Sequence, residues 1–253
     1  MFYLTSSKLT RWRSELKARL EAGHMAGGQR GAAQVLANSA LGGCLAVATA
    51  WLRADGGPGS PAAAQLTAWA FVAFYACCCA DTWSSELGIA SSCPPRLITT
   101  GSVVPPGTNG GVSSLGTAAA AAGGLLMGAC YVAAAGLSAA LAAGAGNNSA
   151  ASGPGACQTG AAADWRLVPL AVAAGVGGSL LDSLLGATLQ FSGVDERSGK
   201  VVSGMPAAGT PAAAAVRHVS GRDVLSNTGV NVAASLATAA LAATAASRLL
   251  PPC

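Results

Sequence analysis

The chain reads as an all-α, polytopic integral membrane bundle of about five to six transmembrane helices. Five stretches, residues 34–52, 62–80, 112–143, 168–191 and 230–250, carry almost no charge. Each is long enough to cross a hydrocarbon core of about 30 Å, which takes about 20 helical residues. The chain is 52% hydrophobic and only 9% charged, with a mean hydropathy of +0.49. The stretches are rich in Ala and Gly rather than Leu, so each is a weak insertion signal alone, and their number carries the reading. The few charges are also placed unevenly between them.

Two regions follow from this pattern: a basic membrane-flanking segment over 1–33 and a transmembrane domain over 34–250, whose long polar loops span 81–111 and 192–229. The first region begins FYLTSSKLTRW and continues as a basic, helix-prone run. It is expected to lie as an amphipathic helix against anionic head groups, with residues 2–4 as the tail of an earlier span. The apolar core of a secretory signal is not seen, and Glu15 and Glu21 do not suit an acid-poor organelle transit peptide. GGQR at 27–30 breaks into the first span, where Gln34 and Asn38 stand four residues apart and share one helical face. Amides at such positions usually bond to neighbouring helices.

The loop 53–61 is a short turn, and the second span ends at Asp81. The stretch 112–143 is longer than one crossing needs. Tilt, a break at Gly123-Gly124, or two short segments would each absorb the excess. Residues 144–163 form a low-complexity Gly/Ala/Ser/Asn linker, in which Asn147-Asn148-Ser149 fits a glycosylation acceptor only formally. The fourth span carries an acid, Asp182. The loop after it has a charged start (DERSGK), a Pro/Ala-rich middle and a polar end (RDVLSNTGVN) before the last span.

The net charge of +4 does not read as a nucleic-acid footprint, because the basic residues flank the spans. Eleven of the fourteen Lys and Arg fall in the N-terminal segment and in loops 81–111 and 192–229, against Arg53, Arg166 and Arg248 on the other side. By the positive-inside rule those loops share a cytosolic or stromal face. Five of the eight cysteines (Cys44, Cys77, Cys78, Cys79, Cys130) fall in apolar spans and no CxxC occurs. With only two histidines there is no zinc pattern, and free thiols are expected.

The chemistry concentrates in DTWSSELGIASSCPPRLITTGSVVPPGTNGG, residues 81–111. Asp81, Ser84 and Ser85 stack on one side of a helix at i, i+3 and i+4. Glu86 points elsewhere, so for both acids to meet one ion the backbone must bend near 83–85 or the ion must bridge helices. A carboxylate inside a span costs about 2.5–3.5 kcal/mol and marks a polar interior, which makes Asp182 the second landmark. Carboxylates and hydroxyls without His or Cys suit hard Mg²⁺ or Mn²⁺, so Asp81, Glu86 and Asp182 are the candidate catalytic and metal-binding acids. Thr100 and the run Gly107, Thr108, Asn109, Gly110 and Gly111 lead into a helix, where glycines let backbone N–H groups close on an anion. This is not a Walker A loop. Arg96 either clamps phosphate or anchors to head groups. Asp223, Asn227 and Asn231 repeat at four-residue steps and line one face of a helix entering the last span. Together these suggest a site for a phosphorylated nucleotide or lipid.

The blocks ADTWSSELG, PRLITTG, VPPGTNGGVS, GSLLDSLLGATLQ and LSNTGVN, with TSSKLTR and GGQR…QVLAN before them, resemble the transmembrane protein 19 family of integral membrane proteins. In photosynthetic organisms that family includes the phytyl-phosphate kinase of tocopherol synthesis. The resemblance implies a membrane-bound isoprenoid-phosphate kinase, making phytyl diphosphate with CTP or another nucleoside triphosphate and Mg²⁺. Asp81, Glu86 and Asp182 would hold the metal or act on the acceptor. Ser84, Ser85, Arg96, Thr100, Gly107, Thr108, Asn109, Gly110, Gly111, Asn227 and Asn231 would bind phosphate and complete the pocket. The partners implied are the lipid bilayer and the isoprenoid phosphate, with no nucleic acid. The place implied is a chloroplast membrane with the basic N-terminus stromal. Family members usually carry further apolar segments before TSSKLTR, so a truncated gene model is expected. A transporter of a small or lipid substrate, which predicts midplane polar residues and inverted repeats, is the alternative from another class. A nucleotidyl or alcohol-phosphate transferase would use the same metal site and release diphosphate, and a non-catalytic scaffold is the remaining reading.

Overall fold

The computed structural model describes residues 1–22, 31–54, 61–144, 164–207 and 209–249. GGQR, most of the 53–61 turn, the linker with Asn147 to Ser149, Cys157 and Cys253 lie outside the described residues.

Among the described residues, five helical segments are long and apolar enough to cross a membrane: Ala32–Arg53, Ala62–Gly88, Ser114–Leu141, Leu167–Leu189 and Asn227–Arg248. The first is interrupted, with α2 (Ala32–Ala37) and α3 (Ala40–Arg53) meeting at Asn38-Ser39. The others are α4 (Pro61–Gly88), α5 (Ser114–Gly144), α6 (Leu167–Leu189) and α8 (Asn227–Leu249). The helix α4 is the axis of the bundle, with α3, α5, α6 and α8 all packed on it. Its Ala73, Phe74, Ala76, Cys79 and Ala80 are fully buried, as expected of a helix that is apolar all round.

Small residues set the spacing. A Cβ added at Gly123 would meet Ala80 of α4, and one at Gly124 would meet the Ala171 carbonyl of α6 at 2.5 Å. The pair Gly123-Gly124 therefore does not break the helix. The α5 helix runs unbroken, because the missing side chains are used for close crossing of neighbours.

The N-terminal helix α1 (Phe2–Leu20) does more than flank the membrane. It packs lengthwise on α4, burying Phe2, Ser6 and Thr10. Phe2 joins the apolar cluster around Phe74, Cys78 and Ala239. The described cysteines are all free.

The two long loops are not plain connectors. In the first, β1 (Arg96–Leu97) pairs antiparallel with β2 (Gly111–Val112). The second folds into an antiparallel sheet of β3 (Ser192–Asp195), β4 (Val201–Ser203) and β5 (Val216–Ser220) in the order β4-β3-β5, with the short helix α7 (Pro211–Ala214) before β5. The two loops join directly: the Asn109 backbone N–H, just before β2, donates to Ser192 Oγ of β3 at 3.0 Å. Both loops thus lie at one end of the bundle, as the charge count predicted.

Candidate functional site

A cavity of about 810 Å³ opens at that end, walled by α1, α2, α4, α5, α6, α8 and both loops. Asp81 stands on α4, near its C-terminal end, and Asp182 on α6. Their carboxyls come within hydrogen-bonding reach of each other. Two carboxylates this close repel unless a proton or a cation sits between them. With its amide nitrogen turned to the acceptors, Asn231 of α8 donates to Asp182 Oδ2 at 3.1 Å and to the Asn227 carbonyl at 3.0 Å. Three helices therefore meet at the acid pair.

The spacing of α4 and α6 is held by Ser84, whose Oγ donates to the Asp81 carbonyl and pairs with Ser179 Oγ, both at 2.9 Å. Below the acids, a pocket of about 10 Å³ is lined by Asn38, Cys77, Cys78, Asp81, Asp182, Asn231 and Ser235. That volume is about one water molecule.

Glu86 departs from the expected three-acid set. The helix does not bend over 83–85, so this side chain turns to α1. There its Oε1 accepts from Lys17 Nζ and from Thr10 Oγ1, each at 3.0 Å. Among the described residues, no three His, Cys, Asp or Glu side chains are grouped to hold a metal ion. The acids that do converge are two, Asp81 and Asp182.

The Gly-rich loop is partly committed to its own fold. Gly107, Thr108, Asn109, Gly110 and Gly111 line the cavity, yet three of their N–H groups are already bonded within the protein. The N–H of Thr108 donates to the Pro105 carbonyl, that of Asn109 to Ser192, and that of Gly111 to the Thr108 carbonyl. Two of these bonds close the loop's own turns, and the one from Asn109 docks it on the second loop. Gly110, at φ +80°, is pressed so closely on α6 that a Cβ would overlap Ala187 and Ser183. The Asn109 amide reaches across to the Phe191 carbonyl at 3.3 Å.

Arg96 and Thr100 do not line the cavity. Arg96 Nη1 donates to the Gly101 carbonyl at 2.8 Å, and Thr100 Oγ1 pairs with Ser102 Oγ at 2.7 Å. Both brace their own exposed hairpin. Ser85 lines the cavity, with its hydroxyl returned to the Thr82 carbonyl at 3.0 Å.

Asp223, Asn227 and Asn231 all face the cavity, but not from one helix. The helix α8 starts at Asn227, where Ser226 Oγ caps the Gly229 N–H at 3.2 Å. Asp223 sits in the preceding turn, which is held by Arg222 and Val224 donating to the last carbonyls of α6.

Sequence reasoning missed Ser179, Thr10 and Lys17. Ser179 stands three residues before Asp182 on the same helical face. Ser6, Thr10 and Lys17 form a polar stripe on α1 whose spacing keeps one side of a helix. Both signals were present in the chain but lacked a partner to point at.

The fold and site together define an integral membrane protein with an acid-lined chamber at one membrane face. The chain belongs to a family described as integral membrane protein DUF92, matched over residues 1–239. This bears out the resemblance to the transmembrane protein 19 family. It is 38% identical over 246 residues to Protein PGR of Arabidopsis thaliana, covering 95% of this chain and 77% of that protein. No solved structure matches it.

Proposed function

We propose that the chain is a membrane-bound isoprenoid-phosphate kinase that converts phytyl phosphate to phytyl diphosphate with a nucleoside triphosphate. The observation that carries this reading is the Asp81–Asp182 pair in a chamber at the membrane face. Among the described residues, five carboxylates line the chamber (Glu21, Asp81, Glu86, Asp182, Asp223) against one lysine. Such a chamber repels bare phosphate and accepts it only with a cation. The donor set fits Mg²⁺, which takes one or two carboxylates, keeps waters and binds substrate phosphates. Asp81 and Asp182 would hold it, and when bound it would neutralise charge on the phosphate oxygens.

The chain's own residues supply position. Asn231 aims Asp182, and the Ser84–Ser179 contact sets how far apart the two acids stand. Gln34 and Asn38 add amides to the wall. In the reaction a bond forms between the terminal phosphorus of the donor and a phosphate oxygen of the acceptor. The bond from that phosphorus to its bridging oxygen breaks, leaving a nucleoside diphosphate. The acceptor is already an oxyanion at neutral pH, so no side chain has to take a proton. The branched tail would lie among the Ala- and Gly-rich helices in the bilayer. The resemblance supports a chloroplast membrane as its place.

Membranes carrying the chain, given phytyl phosphate, Mg²⁺ and each nucleoside triphosphate in turn, test this by mass detection of phytyl diphosphate. Asp81→Asn and Asp182→Asn should each cut product by about a hundredfold or more. A wild-type chain that makes no product with any donor would overturn the reading. The excess of carboxylates favours one competitor, transport of a cation or amine, which uptake by sealed proteoliposomes would reveal.

A further inference from the structure

We infer that Lys17 is a phosphate-binding residue of the chamber, delivered by α1 and held in place by Glu86. This rests on the phosphate-handling reading above and adds to it the one cationic contact. Among the described residues, Lys17 is the only lysine or arginine lining the cavity. Its side chain is 14% exposed, and its ion-pair partner there is Glu86. An ammonium has three donors, so two remain for a ligand.

The pair is half-finished on its other side as well. Glu86 is 4% exposed and lines the cavity; Oε1 is used twice, while Oε2 has no hydrogen-bond partner. A purely structural buried pair is expected to fill both carboxylate oxygens, because an unmet buried acceptor is costly. A phosphate in the chamber completes the lysine's side of the pair, its oxygens accepting from Lys17 Nζ while Glu86 Oε1 holds the ammonium in place.

The surroundings fix Lys17 rather than leave it to wander. The last turn of α1 is tied to the sheet of the second loop. Lys200 Nζ donates to the Ala18 carbonyl at 2.7 Å, and the Ala22 N–H donates to the Val201 carbonyl at 2.8 Å. On the inner side, Thr10 bonds both Glu86 and the Ser6 carbonyl. In this arrangement Asp81 and Asp182 would hold a cation, and Lys17 would supply a further positive contact for the polyphosphate.

The test uses the full chain purified in detergent, with inorganic pyrophosphate and Mg²⁺ as the probe, read by calorimetry and by melting. Lys17→Arg should bind within about threefold of wild type. The paired neutral change Lys17→Gln with Glu86→Gln avoids a stranded charge and should weaken binding by about tenfold or more. Glu86→Gln alone removes the anchor that aims the ammonium and should weaken binding by about threefold or more in the folded chain. A merely structural pair would instead lower the melting temperature and leave the affinity unchanged. That variant decides the matter if the double variant fails to fold. Wild-type affinity in a folded double variant, unchanged or tighter binding by Glu86→Gln, or no binding by the wild-type chain would each overturn the inference. Lys17-dependent binding without phytyl diphosphate formation would keep it and remove the kinase. Product formation indifferent to these variants would do the reverse.

Discussion

Replacing Gly178 by alanine probes whether the acid pair depends on close helix packing. A Cβ there would lie 2.5 Å from Cys77 Sγ, 2.9 Å from Cys77 Cβ and 2.9 Å from Thr238 Oγ1. Ordinary contact begins at 3.4 Å, so α6 must retreat from α4 and α8 by about 0.9 Å. Gly178 lies one turn before Asp182 on the same helical face, and the retreat therefore carries Asp182 away from both Asp81 and Asn231. Overpacking of this kind costs about 1–3 kcal/mol, and each kcal/mol lowers the melting temperature by about 2–4 °C in a chain of this size. A misplacement near 1 Å costs catalysis by about a hundredfold. Melting in detergent and phytyl diphosphate formation are the two assays. Adding Cys77→Ala removes the nearest clashing atom but leaves the Cβ approach, so it should restore part of both losses, with a coupling energy of about 1 kcal/mol. A Gly178→Ala chain that melts and turns over like wild type would refute the reasoning, as would strict additivity with Cys77→Ala.

The other expectations concern the loops. Gly101 and Gly110 both have positive φ, but a Cβ at Gly101 meets open space while one at Gly110 overlaps α6. Gly101→Ala should cost about 1–2 kcal/mol, and Gly110→Ala about 1–3 kcal/mol more, read as the difference between their melting shifts. Arg96→Ala should leave product formation within about twofold of wild type, because the guanidinium braces Gly101 and does not reach the cavity; a large loss would return Arg96 to the phosphate site. Asp195 accepts from the Arg197 N–H at 3.0 Å and from Ser198 Oγ at 2.8 Å, and its carboxyl is held below the usual range by the Arg197 N–H first and by the Ser198 hydroxyl next. The order it brings to the β3–β4 turn is fully present above the unfolded carboxylate value of about 3.9 and is lost as pH falls through the lower folded value. Faster amide exchange at Arg197 on acidification, abolished by Asp195→Asn, is the expected result.

Much of the fold was legible because its signal is local. Span length, missing charge and the placement of Lys and Arg are properties of each segment, and they located the helices and put both loops at one face. Asp182 was legible for the same reason, since a carboxylate in an apolar span needs a polar interior wherever its neighbours come from. The β-strands of 192–229 were not legible. Those strands have three to five residues each, and what stabilises them is pairing across the loop rather than a pattern along it. The Gly123-Gly124 pair looked like a break because glycine weakens an isolated helix, whereas inside the bundle the same absence of Cβ admits Ala80 and Ala171.

By itself, then, the amino-acid order determined the helical class, the two-sided layout and the acids a polar chamber would need. The partners were decided only by tertiary packing. Asp81 and Glu86 lie five residues apart on one helix and so point to different neighbours, one to Asp182 and the other to Lys17. The Gly-rich loop gave the Thr108 and Gly111 N–H groups to its own carbonyls and that of Asn109 to Ser192, and Arg96 was drawn to its own hairpin. A side chain's chemistry is written in the chain, but its charge and hydrogen bonds go to whatever the fold brings within about 3 Å.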